Sequence, residues 1–361
     1  MPKSIYEIFE SKAIASYWKD VDSHMKDPMI GTRFFPVSKQ TGLNLAWIKG
    51  KNNLPVVLQP SAFDTKAPLR DRIGVAEVST EMPFFREAMR IGEKDRQDIE
   101  TLLAKGEQFA QPTIMRIFDD TKNLIDGANV QAERMRMSLL YGGTINITAT
   151  AENGRPVAYA YNYDNTDGDW AKTNKITLSG NSTWTLANKA TSNPITDLLD
   201  AVELMAEKHG VKCVEALMNT TTFKGMIASE SIAKAMNPIG ASSIIVTRKT
   251  AKEFVESETT LKITLYDKMF KDEQGVDQKF YPDGFVTLLP SYALGNTWYG
   301  TTPEEFDLMS GTANASVSVV NTGVAVTTIK EPHPVNVQTV VSEIVLPSFE
   351  RMDDIYVMQV F

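Results

Sequence analysis

The sequence is short of the residues that most enzyme and metal chemistry needs. One cysteine, Cys213, and three histidines, His24, His209 and His333, occur in 361 residues. A lone thiol forms no internal disulfide and no cysteine-based metal site, so packing has to hold the chain together. Runs of about 18 apolar residues are missing, and the nearest stretches, 243–246 and 285–289, are strand-sized, which argues against a membrane protein. The first twelve residues mix Lys3, Glu7, Glu10 and Lys12 with apolar side chains and lack the apolar centre and cleavage site of a signal peptide, so a cytoplasmic product is expected. An excess of positive charge is missing too. With 37 Lys and Arg against 45 Asp and Glu, the net charge is −8, which disfavours a general nucleic-acid binder. Phosphate-binding Gly-rich loops, dinucleotide fingerprints and zincin motifs are absent.

The chain is rich in core-forming residues. Hydrophobic residues make up 42%, with five Trp and sixteen each of Phe and Met, which excludes a disordered polymer. At roughly 150 residues per domain, the length suggests about two domains.

Ile5, Ile8, Phe9, Ala13 and Tyr17 mark a short amphipathic helix with Ser4 as N-cap, whose apolar side needs a partner. Over 31–81, apolar residues interrupted by Pro36, Pro55, Pro60 and Pro68 read as extended limbs and loops. The turn-forming stretch 49–53 suggests that 43–48 and 54–58 pair as a hairpin. A projecting two-stranded hairpin is marginal in water, and another copy of the chain would cover it.

A charged helix is expected over 93–103, followed by the clearest element. Pro112 opens it, Ile114, Ile117, Phe118, Leu124, Ile125, Ala128, Ala132, Met135 and Leu139 fall largely on one face, and Gly142-Gly143 closes it. About thirty helical residues span roughly 45 Å. Next, 144–151 and 155–161 alternate around Glu152-Asn153-Gly154, a strong hairpin signal. The stretches 175–178 and 182–186 read as strands, with a loop over 163–174 between the hairpin and the first of them. Asn193-Pro194 starts a helix ending at Gly210. Strands at 211–217, 261–266 and 285–289 then mix with helices over 220–236 and 250–257, which indicates an α+β or α/β fold. Alternating stretches 324–330, 335–347 and 355–361 end the chain, and the last is expected to dock beside the hairpin that follows the long helix.

Candidate chemistry is thin. His209 precedes Gly210 at a helix end and reads as a capping or exposed group, while Cys213 among valines reads as a core residue. The acidic loop Asp164-Asn165-Thr166-Asp167-Gly168-Asp169 fails as an EF-hand, because Tyr163 and Asn174 fall where Asp and Glu ligands belong. Arg134 and Arg136 suit the dipole at the end of the long helix, and Glu304, Glu305 and Asp307 after Pro303 suit a helix's first turn. Arg70 and Arg72 sit in the projecting hairpin, where acidic groups of a neighbouring subunit would pair with them.

The order of parts, together with Gly42-Leu-Asn-Leu, Gln131-Ala-Glu-Arg-Met through Gly142-Gly143-Thr144, Lys279-Phe-Tyr-Pro-Asp-Gly, and Glu343-Ile-Val-Leu-Pro before Asp353-Asp354, resembles a known family. The chain resembles tailed-phage major capsid proteins of the Hong Kong ninety-seven fold, most of all the lambda-type, major capsid protein E family. The resemblance implies an α+β fold with an N-terminal arm (1–42), an E-loop hairpin (43–81), a peripheral domain with a spine helix near 112–141 (82–187), an axial domain (188–310) and strands returning to the peripheral domain (311–361). It further implies a head protein that self-assembles into hexamers and pentamers around double-stranded DNA, located in the virion capsid after assembly in the host cytoplasm.

On that reading the chain is not an enzyme, takes no cofactor or metal, binds DNA without sequence specificity, and works with separate scaffolding, portal and decoration proteins. No long N-terminal scaffold-like extension is seen, and a cross-linking Lys–Asn pair does not map onto the sequence, so cross-linking is not expected. Intersubunit contacts are expected from Trp47, Leu54, Val56, Phe63, Arg70 and Arg72 of the hairpin and from Ile5 and Phe9 of the arm. Heterologous contacts of this kind close into rings. The alternatives are an encapsulin-like compartment shell, a tail-tube or adaptor protein, and a soluble enzyme with a site in 188–310.

Overall fold

The computed structural model describes residues 5–23, 29–49, 76–150, 156–164, 168–237, 246–311, 315–333 and 335–361. Instead of one short helix, the N-terminal segment forms α1 (Ile5–Ile8) and α2 (Ser11–Ser23), and Ile14, Ala15 and Trp18 of α2 are buried. A single turn, α3 (Gly31–Phe34), leads to β1 (Val37–Lys39) and β2 (Asn44–Lys49). The described partner of β2 is β3 (Ala76–Glu81), at the far end of the excursion, whereas 54–58 lies outside the described residues. A local turn signal says nothing about a long-range partner, which is why the expected register differs. β4 (Phe84–Ile91) and α4 (Glu93–Lys105) follow.

The long helix α5 covers Glu107–Gly142, 36 residues, and starts five residues before Pro112. Proline there removes one i→i−4 bond, to the carbonyl of Gln108, but both residues are exposed, which leaves that oxygen open to solvent. The helix ends at Gly143 in the left-handed region, φ +66°, with its amide bonded to the Leu139 carbonyl at 3.0 Å.

β5 (Thr144–Thr150) and β6 (Pro156–Asn162) form the expected hairpin, in the register Thr144 opposite Asn162. After α6 (Asp169–Thr173) and β7 (Lys175–Thr177), the expected strand over 182–186 is replaced by short 3-10 turns. Asn188 explains the difference: its side chain donates to the Gly180 carbonyl and the Thr183 hydroxyl, holding the backbone in turns. α7 (Pro194–His209) stops at Gly210, and Val211 bonds back to the Met205 carbonyl, so the expected strand over 211–217 begins later: Val214 already bonds to Leu289 and Lys262, and β8 runs over Glu215–Met218. Then come α8 (Thr220–Ile227), α9 (Glu230–Met236), α10 (Arg248–Thr259), β9 (Lys262–Leu265), β10 (Met269–Lys271), β11 (Asp277–Lys279), β12 (Phe285–Leu289) and β13 (Thr297–Tyr299). The chain finishes with α11 (Pro303–Ser310), β14 (Ser316–Val320), β15 (Val324–Pro332), β16 (Val335–Pro347) and β17 (Tyr356–Gln359).

Two compact units emerge. The first takes the described residues within Met1–Ala46, Ser79–Arg136 and Asn296–Ser348, and the second those within Trp47–Val78, Met137–Gly295 and Phe349–Phe361. In the first, a sheet runs β1-β13-β16-β15-β14, with β4 also pairing β16; only β1 and β13 are parallel. The 13-residue β16 serves three neighbours because β15 and β4 flank the same stretch, 337–342, while β13 pairs with 345–347 beyond it. Helix α2 lies against β14 and β15. In the second, the sheet runs β7-β17-β12-β8-β9 around a core of Trp184, Leu198, Met205, Phe223, Val286 and Met358. The last strand, β17, thus docks between β7 and β12 and not beside β5–β6 as expected, because Tyr356, Val357 and Met358 are apolar on both faces and suit an interior position.

Candidate assembly surfaces

In the second unit, Trp47 of β2 retains only 8% exposure and stacks on Tyr163, with ring centroids 5.4 Å apart and planes at 27°. Tyr163 meets Phe349 edge-on at 6.4 Å, and burial, followed by the nearby Tyr161 and Glu350, lifts its phenol well above the ordinary range. In the first unit, Phe9 is sealed against Phe118, centroids 5.1 Å apart, among Ile91, Ile99, Ala110, Ile114 and Val337. Both rings are expected from sequence to face a neighbouring subunit, and both are instead buried within their own chain. Apolar periodicity marks which side is buried, not which molecule buries it. Ile5 opens α1 with its side chain outside the described set, and Leu54, Val56, Phe63, Arg70 and Arg72 lie outside the described residues.

Apolar surface appears where the sequence reading did not look. Helix α11 is anchored at its start: the Thr302 hydroxyl accepts from the Glu305 amide, Lys39 Nζ meets Glu305 Oε2 at 2.6 Å, and Arg86 and Ser342 hold Glu304. The acidic first turn expected over 304–307 is therefore a structural anchor. Beyond it the helix exposes Phe306 (61%), Leu308 and Met309 (75%). In the second unit, the β10–β11 hairpin exposes Met269 and Val276.

The first unit also contains a buried ionic cluster that local sequence pattern hides. Arg136 is not a dipole partner at the helix surface. Its Nη1 donates to Glu133 Oε2 at 3.2 Å and its Nε to Thr297 Oγ1 at 2.8 Å, with both ionic side chains buried. Thr297 Oγ1 in turn donates to the Phe35 carbonyl at 2.9 Å, and the Gly31 amide donates to Glu133 Oε1 at 3.0 Å. Glu343 of β16 is also buried, and burial raises its carboxyl well above the usual range although Arg136 pulls the other way. The Tyr299 phenol nearby is raised as well, by burial first and then by the Glu343 charge.

Elsewhere, polar groups are engaged in holding the fold. Asp164 accepts from the amides of Trp170 and Ala171, at 2.9 and 3.0 Å, and so caps α6. Cys213 is buried, and burial, with the Asp354 charge adding, pushes its thiol up to about 12. Among the described residues, no group of three or more His, Cys, Asp or Glu side chains is placed to hold a metal ion, and no helix is long and apolar enough to cross a membrane.

A long helix, a mixed sheet, a second sheet with its own helices and a separate β2–β3 pair are the elements of a phage capsid fold. Solved structures share it, among them the two that follow. A protein of an E. coli CFT073 prophage, described as its candidate capsid protein, superposes with a TM-score of 0.60 at 12% identity, covering 98% of this chain and 99% of that one. A phage-related protein from Bordetella bronchiseptica RB50 does so with a TM-score of 0.52 at 11% identity, covering 97% and 96%. No curated protein matches the sequence. The profile of phage major capsid protein E matches residues 12–360, and the chain belongs to that family. It is thereby a structural protein of the phage head, with its place in the virion capsid.

Proposed function

We propose that this chain builds the phage head by homo-oligomeric assembly, forming hexamers and pentamers that close into a shell around double-stranded DNA. Its work is assembly and not catalysis. The observation that carries the reading is the β2–β3 pair: among the described residues these strands pair only with each other, and they bracket the whole segment 50–75. Two strands alone are marginal in water; Trp47 is covered within its own chain, and the cover for the rest of the segment falls to a neighbour. On this reading the excursion over 43–81 lies on an adjacent subunit, with Leu54, Val56 and Phe63 as apolar contacts and Arg70 and Arg72 meeting acidic groups there. The arm, 1–42, reaches a further neighbour through Ile5, and the domain over 188–310 points toward the capsomer centre.

The net charge of −8 suits a container that holds its genome without sequence-specific binding and lets it pass in and out. Scaffolding, portal and decoration functions fall to separate proteins, and assembly takes place in the host cytoplasm. The test is deletion of residues 49–72 with expression beside the natural neighbouring genes. Capsomers or shells are expected to vanish from electron micrographs while the folded subunit persists. Normal shells from the deletion variant would overturn the clamp.

A further inference from the structure

The cluster around Arg136 holds two carboxylates and one guanidinium, and the guanidinium is already committed to Glu133, Thr297 and the Tyr299 phenol. Glu343, 1% exposed, has neither oxygen in a hydrogen bond among the described residues. A buried carboxylate without a donor is among the costliest groups a fold can carry, so this one keeps its proton. The groups facing it are few. Helix α5 supplies Glu133 and Arg136, and β13 supplies the Tyr299 phenol. On β4 the residue opposite is the uncharged Phe85, while Arg86 beside it is held by Glu304; near Gly31, Arg33 lies over the Phe34 ring. Among the described residues, Arg136 is the cation whose charge acts on Glu343.

We propose that the proton on Glu343 keeps closed the joint that Glu133, Arg136 and Thr297 make between α5, the Gly31–Phe35 turn and β13, and that losing this proton opens it. Ionisation releases one proton to solvent and leaves one added negative charge beside Arg136. Arg136 then has two carboxylates competing for it, and its bond to Thr297 is what it gives up. That bond ties α5 to Thr297, whose hydroxyl holds the Phe35 carbonyl; Glu133, weakened as a partner, holds the Gly31 amide. Once opened to water, Glu343 ionises at its ordinary pKa. The open fraction therefore rises about tenfold per pH unit between the ordinary glutamate range and the pKa of the closed form.

Hydrogen–deuterium exchange of the full chain, in whatever assembly it adopts, tests this on the peptide that carries Gly31 and Phe35. After correction for intrinsic exchange, protection there is expected to fall as pH rises above the ordinary glutamate range, by as much as tenfold per pH unit. In Glu343→Gln, which cannot ionise, the profile is expected to be flat. Equal pH dependence in wild type and variant, or a flat wild-type profile, would overturn the proposal. If Glu343→Gln does not fold, Glu343→Leu replaces it with a side chain of similar bulk that also carries no charge, and the same flat profile is required.

Discussion

Gly31 and Glu133 are locked together: the Gly31 amide donates to Glu133 Oε1 at 3.0 Å, and a β-carbon on Gly31 would collide with the other oxygen of the same carboxylate and press on Arg136 Cδ at 2.8 Å. A side chain at position 31 therefore has to displace a buried ion pair. Gly31→Ala is expected to destabilise the fold by about 1–3 kcal/mol, the ordinary range for overpacking. Arg136→Ala is expected to do more harm, about 3–5 kcal/mol, because it leaves Glu133 charged, buried and without its cation. Urea unfolding of the two variants measures both; a smaller loss for Arg136→Ala than for Gly31→Ala would contradict the ion-pair account.

Gly143 is required for a different reason. Its φ of +66° is strained for any residue with a β-carbon, and that carbon would fall 2.5 Å from Met352 Cε and 3.1 Å from Trp170 Cζ3. The Trp170 indole cannot retreat freely, since its Nε1 donates to the Met352 carbonyl at 2.8 Å. Gly143→Ala is expected to cost about 1–3 kcal/mol in the same assay. Trp170→Phe should relieve little of that, because Met352 remains in the way.

How much of this was legible in the sequence depends on whether the cause is local. The stripe from Ile114 to Leu139 and the double glycine at its end mark α5 because a helix and its cap are made by neighbours in sequence. The start is not legible in the same way: Pro112 signals a first turn, yet an exposed second turn tolerates it. Arg136 is illegible: the residue it grips, Thr297, lies 161 positions away, and at the end of a helix an arginine reads first as a dipole partner. The same holds for Glu343, which in sequence is one polar residue in an alternating strand. Phe9 and Trp47 were recognised as apolar anchors, but only folding reveals that their partners, Phe118 and Tyr163, belong to the same chain.

Cys213 should be chemically silent. A reagent that alkylates thiolates reacts in proportion to the ionised fraction and to access, and burial removes both here, with the thiol raised to about 12. At neutral pH the native protein is expected to take up label only at the rate at which it opens, and fully once denaturant unfolds it. Stoichiometric labelling of the folded protein within the mixing time would place Cys213 at the surface.

Asp283 and Glu343 should bend the pH–stability curve in opposite directions. Burial alone would raise the Asp283 carboxyl, but Lys279 Nζ at 2.7 Å and Asn219 Nδ2 at 2.5 Å both donate to its Oδ1, and together they hold it below the ordinary aspartate value. A carboxyl whose folded pKa is lowered adds stability that is present above its unfolded value and lost as pH falls through the folded one. The Asp283 contribution therefore lies on the acid limb, below about pH 4. It is small, since Lys279 and Asp283 are partly exposed, and added salt shrinks it. Glu343 is raised above 4.5, so its contribution is complete at acid pH and declines as pH climbs from there towards its folded pKa. Asp283→Asn should flatten only the acid limb of a stability profile, and Glu343→Gln only the limb above it. If Asp283→Asn changed the alkaline side instead, the direction assigned to its carboxyl would be wrong.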